Sequence, residues 1–192
     1  MKLLEKTSLG GLNLKNRMVM APMTRSRASL NGVVGNSTVI YYTQRASAGL
    51  IVSEAINISE QAIGSPLTPG IYTTEQINAW KKVTKAVHDN RGVIYAQLWH
   101  TGRVGHSLVK NGSLPVAPSP IAIQGQQHFT MEGQKDYEIP KELTIEEIKN
   151  IEDSDVEDFI SIVSTNQISF SDKKRAIGIK QKYMKMFFSV NN

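Results

Sequence analysis

Apolar residues in the first hundred positions gather into short continuous runs rather than alternating ones. Each run starts apolar and turns polar toward its carboxyl end. R-M-V-M-A-P at 17–22 is followed by Thr24 and Arg25, and L-I-V-S-E-A-I-N-I at 50–58 and V-I-Y-A-Q-L at 93–98 repeat the design. Continuous apolar strands are expected where both faces of a parallel sheet are covered. Helical patterns lie between them: Ser37–Ala48 joins the first two runs and Thr73–Asn90 joins the second and third. In the latter, Thr73 and Gln76 have capping-box spacing. Ile77, Trp80, Thr84 and Val87 fall on one face, with Trp80 in the core, and Gly92 supplies the stop. Thr144 and Glu147 repeat the capping-box spacing and open a helix with Ile145, Ile148 and Ile151.

The order strand, helix, strand, helix, strand, long loop, helix implies parallel βαβ units. Both a doubly wound open sheet and a closed (β/α)8 barrel accept it. The open sheet calls for a glycine-rich phosphate turn after the first strand, and A-P-M-T-R at 21–25 has no glycine. Barrel active sites lie at the carboxyl ends of strands, where this sequence puts Thr24, Arg25, Glu54, Gln97 and His100. The reading is therefore α/β, a partial (β/α)8 TIM barrel of about the first three βα units, since complete barrels run to roughly 250 residues. Residues 1–151 form the barrel part, and 152–192 a divergent tail, disordered or helical.

Composition narrows the chemistry. With 192 residues, 40% hydrophobic and 20% charged, the chain resembles an ordinary globular domain. Residues 1–16 carry Lys2, Glu5, Lys6 and Lys15 with no sustained apolar core, so they read as mature cytoplasmic sequence, not a signal peptide or membrane span. The absence of cysteine excludes disulfides, thiolate metal sites and a catalytic thiol, so any redox chemistry is borrowed from a cofactor. The net charge of +5 belongs to the tail: residues 1–172 carry 16 basic against 17 acidic groups. Neither nucleic acid nor membrane is expected as a partner of the body. His100 and His106 lack a third ligand at useful spacing, so no metal site is assigned. Glu54 fits a buried ion pair, with Arg25 or Arg103, better than a general base.

Some of the polar strand ends suit one kind of ring. Gln97 offers an acceptor and a donor on one side chain, Thr24 a short hydroxyl, and Ala21, Pro22 and Ala55 small surfaces for close backbone approach. An isoalloxazine edge, an N–H flanked by two carbonyls, is the complement of that set. The stretches A-P-M-T-R at 21–25, S-E-A at 53–55, P-G-I-Y-T-x-E-Q at 69–76 and Q-L-W-H-T-G-R at 97–103 resemble the old yellow enzyme family, particularly its bacterial N-ethylmaleimide and nitroester reductase branch. The resemblance extends from about Leu3 to Ile151 and implies a (β/α)8 barrel holding FMN without a covalent bond.

Carried over residue by residue, the resemblance makes Ala21, Pro22, Met23, Thr24, Ala55 and Gln97 the cofactor-binding set and puts Trp99 on the substrate side of the pocket. Ser65 stands where relatives often place a pocket tyrosine. The implied reaction passes hydride from NADH or NADPH through FMN to an activated alkene, quinone or nitro compound. In the family a His-x-x-His or His-x-x-Asn pair polarises that substrate and a tyrosine supplies the proton. Here His88, His100, His106 and His128 have neither His nor Asn three residues on, so no catalytic residue is assigned. After Ile151 the apolar stripe slips by one position, to Val156, Phe159, Ile160 and Val163. A truncated copy with weak or no activity is therefore expected, with a non-catalytic half-barrel interaction module as the alternative. Self-association through open barrel edges is expected, and residues 173–190 also read as a basic amphipathic tail.

Overall fold

A computed structural model describes residues 1–9 and 12–151. The register slip and the basic tail lie outside the described residues. One compact unit is Met1–Glu146, and a second starts at Glu147. Residues 145–151 are helical, which puts Thr144 at the start of that helix as its spacing requires. No helix among the described residues is long and apolar enough to cross a membrane.

The chain opens with an antiparallel hairpin of β1 (Thr7–Leu9) and β2 (Leu12–Leu14). β3 (Val19–Met20), α1 (Asn36–Thr43), β4 (Leu50–Asn57), α2 (Thr74–Asp89) and β5 (Ile94–Trp99) follow in the expected alternation. The three strands are parallel and adjacent in the order β3-β4-β5. Met20 registers with Ile51, and Ile51 with Ile94. β4 is buried along nearly its whole length, whereas Val19 on β3 and Tyr95 on β5 remain 52% and 45% exposed. A central strand flanked by half-covered neighbours is the arrangement expected where β4 is covered on both faces.

The first strand is shorter than the 17–22 run, because Pro22 has no N–H to extend a ladder. Likewise α1 ends at Thr43; the chain to Ala48 continues as tight turns, with Ala46 N–H bonded to Thr43 O and Ala48 N–H to Arg45 O. α2 has both halves of its capping box, Thr73 accepting from Gln76 N–H and Gln76 from Thr73 N–H. Its buried face is Gln76, Trp80, Val83 and Val87, with Ile77 and Thr84 only half-buried. An apolar pattern overlooks this rotation because its first member, Gln76, is polar. The amide earns its place inside by accepting from Tyr72 N–H as well and donating to Asn31 O at 2.9 Å. Gly70 makes room for it: a Cβ there would lie 2.6 Å from Gln76 Oε1.

The long loop that follows the third strand, from Gly105 to Pro140, carries regular structure. β6 (Val116–Ala117) pairs in parallel with β9 (Lys141–Glu142), and β7 (Gln127–Thr130) forms a hairpin with β8 (Gly133–Asp136). The short strands escaped notice because β7 and β8 are polar, and β6 and β9 have two residues each.

The stop of α2 also differs from expectation. Gly92 N–H bonds Val87 O and Arg91 N–H bonds His88 O, a Schellman closure whose left-handed residue is Arg91, with φ of 55°. Gly92 is needed for space: a Cβ there would meet Val87 Cγ1 at 2.6 Å. The left-handed region costs a side-chain-bearing residue about 1 kcal/mol. Replacing Arg91 with Gly is therefore expected to stabilise the fold by up to about 1 kcal/mol, read as a higher urea midpoint, while Gly92→Ala lowers it.

Candidate functional site

Three parallel neighbours send their carboxyl ends to one edge of the sheet, and the candidate residues follow from that topology. Ala55 on β4 registers with Gln97 on β5, so their side chains stand on the same face, with strands about 4.8 Å apart. A register irregularity between Val52 and Ala55 precedes this pair, where Ser53 Oγ takes the Gln97 N–H at 3.1 Å in place of a backbone carbonyl. Ala21, Pro22, Met23 and Thr24 leave β3 at the same edge and are exposed. Ala55 is buried, and Gln97 and Trp99 are half-buried. Neither the Thr24 hydroxyl nor the Gln97 side-chain amide bonds another group among the described residues. Each is available to a ligand, with the small Ala55 beside Gln97.

Glu54 points the other way, since neighbouring strand residues alternate between faces. Its Oε1 takes two bonds from Arg25, from Nη2 at 2.5 Å and Nε at 2.9 Å. Arg25 Nη2 also donates to Thr38 Oγ1 at 2.9 Å, while Tyr42 accepts the Glu54 N–H at 2.7 Å and donates to Oε1 at 3.3 Å. Of the two partners proposed for Glu54, the structure selects Arg25; Arg103 binds Ile121 O and Ser119 Oγ instead. The guanidinium lies 4.1 Å from the centre of the Tyr41 ring and 5.2 Å from that of Tyr42, suitable for cation–π attraction. Burial raises the Tyr42 phenol well above its usual range, and the nearby Glu54 charge adds to this against the opposing effects of the Glu54 backbone bond and Arg25. Tyr42 therefore serves as a neutral hydrogen-bonding strut. Immediately after Arg25, Ser26 sits at φ 51°, a conformation rare for a residue with a side chain.

On the β5 side, Trp99 Nε1 donates to Asn57 Oδ1 at 2.6 Å, and Thr101 N–H and hydroxyl both bond Ala62 O. His100 Nδ1 accepts Gly102 N–H at 3.1 Å, and its Nε2 is buried without a partner among the described residues. Burial, with the Lys110 charge, lowers His100 from 6.5 to about 4, and burial lowers Lys110 itself to about 8. His128 is also lowered, by burial first and then by His106 and Lys110, against the opposing effect of the Gly64 backbone as hydrogen-bond acceptor. Lys110 is buried and bonds Gln61 O. Two open cavities, of about 590 and 620 Å3, are lined by residues 122–127 with Gln134, Asp136 and Tyr137, and by Ser59, Glu60, Gln61, Ser113, Leu114, Val116 and Lys141, none of them a strand-end candidate.

The topology thus brings Thr24, Ala55, Gln97 and Trp99 to one edge. Sequence reading missed Thr38, Tyr42, Asn57 and Lys110. The buried polar position of Asn57 at the end of an apolar run was a usable signal; the other three gave none, because their partners are distant in sequence.

The chain matches the NADH:flavin oxidoreductase / NADH oxidase family over residues 2–159. It is 42% identical over 149 residues to the flavin oxidoreductase hxnT of Emericella nidulans, covering 74% of this chain and 38% of that protein. It is 40% identical over 142 residues to 12-oxophytodienoate reductase 7 of Oryza sativa subsp. japonica, covering 72% and 36%. Among solved structures, the old yellow enzyme homologue from Zymomonas mobilis superposes with a TM-score of 0.78 at 42% identity, over 84% of this chain and 45% of that one. Morphinone reductase in complex with tetrahydroNAD gives 0.77 at 43% identity, over 86% and 47%. The chain therefore spans less than half the length of these relatives.

Two outcomes follow for the site's framework. Removing one member of a buried ion pair leaves the other uncompensated, so Glu54→Leu and Arg25→Met are each expected to cost about 3 kcal/mol, and the double variant less than their sum, in a urea double-mutant cycle. Below pH 6.5 the unfolded chain binds protons at His100 and His128 that the folded chain resists. The stability governed by these histidines is thus fully present above about 6.5 and declines as pH falls toward about 4. His100→Asn, which keeps an acceptor for Gly102 N–H, is expected to flatten that decline; an unchanged slope would assign it to other groups.

Proposed function

Because this chain belongs to the NADH:flavin oxidoreductase / NADH oxidase family, we propose that its β3, β4 and β5 ends form an FMN platform of the old yellow enzyme type, within a partial (β/α)8 barrel. The supporting observation is the adjacency of Ala55 and Gln97 on paired strands, beside an exposed 21–24 segment, with the Gln97 amide and Thr24 hydroxyl uncommitted among the described residues. Bound FMN would accept hydride from NADH or NADPH and pass it to an activated alkene, quinone or nitro compound. Gln97 would meet the pyrimidine edge with its donor and acceptor, and Thr24 the carbonyl edge nearest the reacting nitrogen. Ala21, Pro22, Met23 and Ala55 would supply close contacts, through backbone or small side chains. Trp99 would limit the substrate side.

The part of the reaction that lies outside these residues is substrate polarisation. No His in this sequence has His or Asn three residues later, so the oxygen of an alkene substrate lacks the donor pair that the family resemblance implies. Flavin binding and its reduction by the nicotinamide are accordingly the activities we assign to these strand ends. The half-exposed β3 and β5 are the edges through which copies would associate.

Titrating the purified chain with FMN, followed by visible absorbance, is expected to show binding that Gln97→Ala weakens by about tenfold, the value of one or two lost hydrogen bonds. No binding by the parent chain, or equal binding by the variant, would remove the flavin platform from this account.

A further inference from the structure

We propose that Asn57, at the last position of β4, is the positioning residue for Trp99 and thereby sets the shape of the substrate side of the pocket, an assignment that rests on the flavin-platform reading above. Asn57 is 1% exposed. Its Oδ1 accepts the Trp99 indole N–H at 2.6 Å, while its Nδ2 donates to Thr68 Oγ1 at 3.0 Å and Pro69 O at 2.9 Å, with Thr68 O at 3.4 Å.

The amide has a single workable orientation. An indole nitrogen can only donate and a carbonyl can only accept, so exchanging the amide oxygen and nitrogen would break both sides at once. The backbone fixes the same point: Asn57 N–H bonds Pro69 O at 2.8 Å and Ile71 N–H bonds Asn57 O at 3.0 Å. Thr68 is held in turn by its hydroxyl bond to Ser65 O at 2.8 Å. One buried amide therefore joins the segment after β4 to the ring beyond Gln97 and leaves Trp99 little freedom to swing.

No neighbouring bond duplicates this restraint. Thr101, two residues on, is tied to Ala62, which fixes the backbone beyond Trp99 but not the indole plane. A leucine of similar volume at 57 fills the space and satisfies neither partner. An aspartate retains an acceptor for the indole and loses the donors to Thr68 and Pro69, so the two variants separate the two halves of the amide.

The two tryptophans make this measurable in the full chain labelled with 15N. Trp99 Nε1 is bonded, whereas Trp80 Nε1 is buried without a partner and serves as an internal reference for the fold. Asn57→Leu is expected to shift the Trp99 indole N–H signal and speed its hydrogen exchange by about tenfold or more, with the Trp80 signal unmoved. Asn57→Asp is expected to restore the slow exchange. An Asn57→Leu chain whose Trp99 indole exchanges as in the parent overturns the assignment. Should the leucine variant lose the Trp80 signal, the parent decides: slow exchange at the half-exposed Trp99 supports the restraint, and exchange at the rate of a free indole overturns it. FMN affinity, read separately by flavin absorbance, is expected to stay within about threefold in Asn57→Leu. Failure of the parent to bind FMN would defeat the platform reading, while the indole result would still decide whether Asn57 holds Trp99.

Discussion

The Arg25–Glu54 ion pair is the constraint from which the arrangement of the site follows. Charges held away from water are tolerated only when paired and hydrogen-bonded. Here the pair draws in the segment after β3, the middle of β4 and two residues of α1, Thr38 and Tyr42. Tyr41 lies between Arg25 and Arg45, with guanidinium distances of 4.1 and 3.7 Å to its ring. Because strand residues alternate, committing Glu54 to this side commits Ala55 to the other. The S-E-A triplet thus performs two jobs: a buried ionic anchor at Glu54 and, at Ala55, a small buried residue registered beside Gln97.

A second set of bonds holds the same edge from the loops. Gln76, inside the first turn of α2, reaches Asn31 O in the segment after β3 and accepts from Tyr72 and Thr73 N–H. Ala28 N–H bonds Leu67 O at 3.0 Å, and Gly70 N–H bonds Gly32 O at 2.9 Å, so the segments following β3 and β4 are laced together. Asn57 extends this lacing to Trp99 beyond β5. Backbone bonds and polar side chains thus join the segments that follow the three strands, which suits a site where a ligand must meet fixed donors and acceptors.

Much of this was legible in the amino-acid order, for identifiable reasons. The continuous apolar runs announced parallel strands, and the Thr73–Gln76 spacing announced the start of α2, because both depend on local rules. The ionic role of Glu54 was legible because an acidic residue inside an apolar strand demands a partner; the choice between Arg25 and Arg103 was not, since it depends on how the β3 segment folds back. The inward turn of Gln76, the end of α1 at Thr43 and the left-handed Arg91 escaped for the same cause. Each depends on contacts with residues far away in the chain, or on space such as that around Gly92. The polar β7–β8 hairpin has no apolar alternation to reveal it.

What the structure leaves to be measured directly is whether Thr24, Ala55 and Gln97 act as one surface. Recording amide 1H–15N spectra of the chain during addition of FMN addresses this residue by residue. The expected result is that these three amides, with those of Pro22's neighbours Ala21 and Met23, shift along a common saturation curve while the β7–β8 hairpin stays still. Shifts confined to one strand end, or scattered with different apparent affinities, would contradict a joint platform.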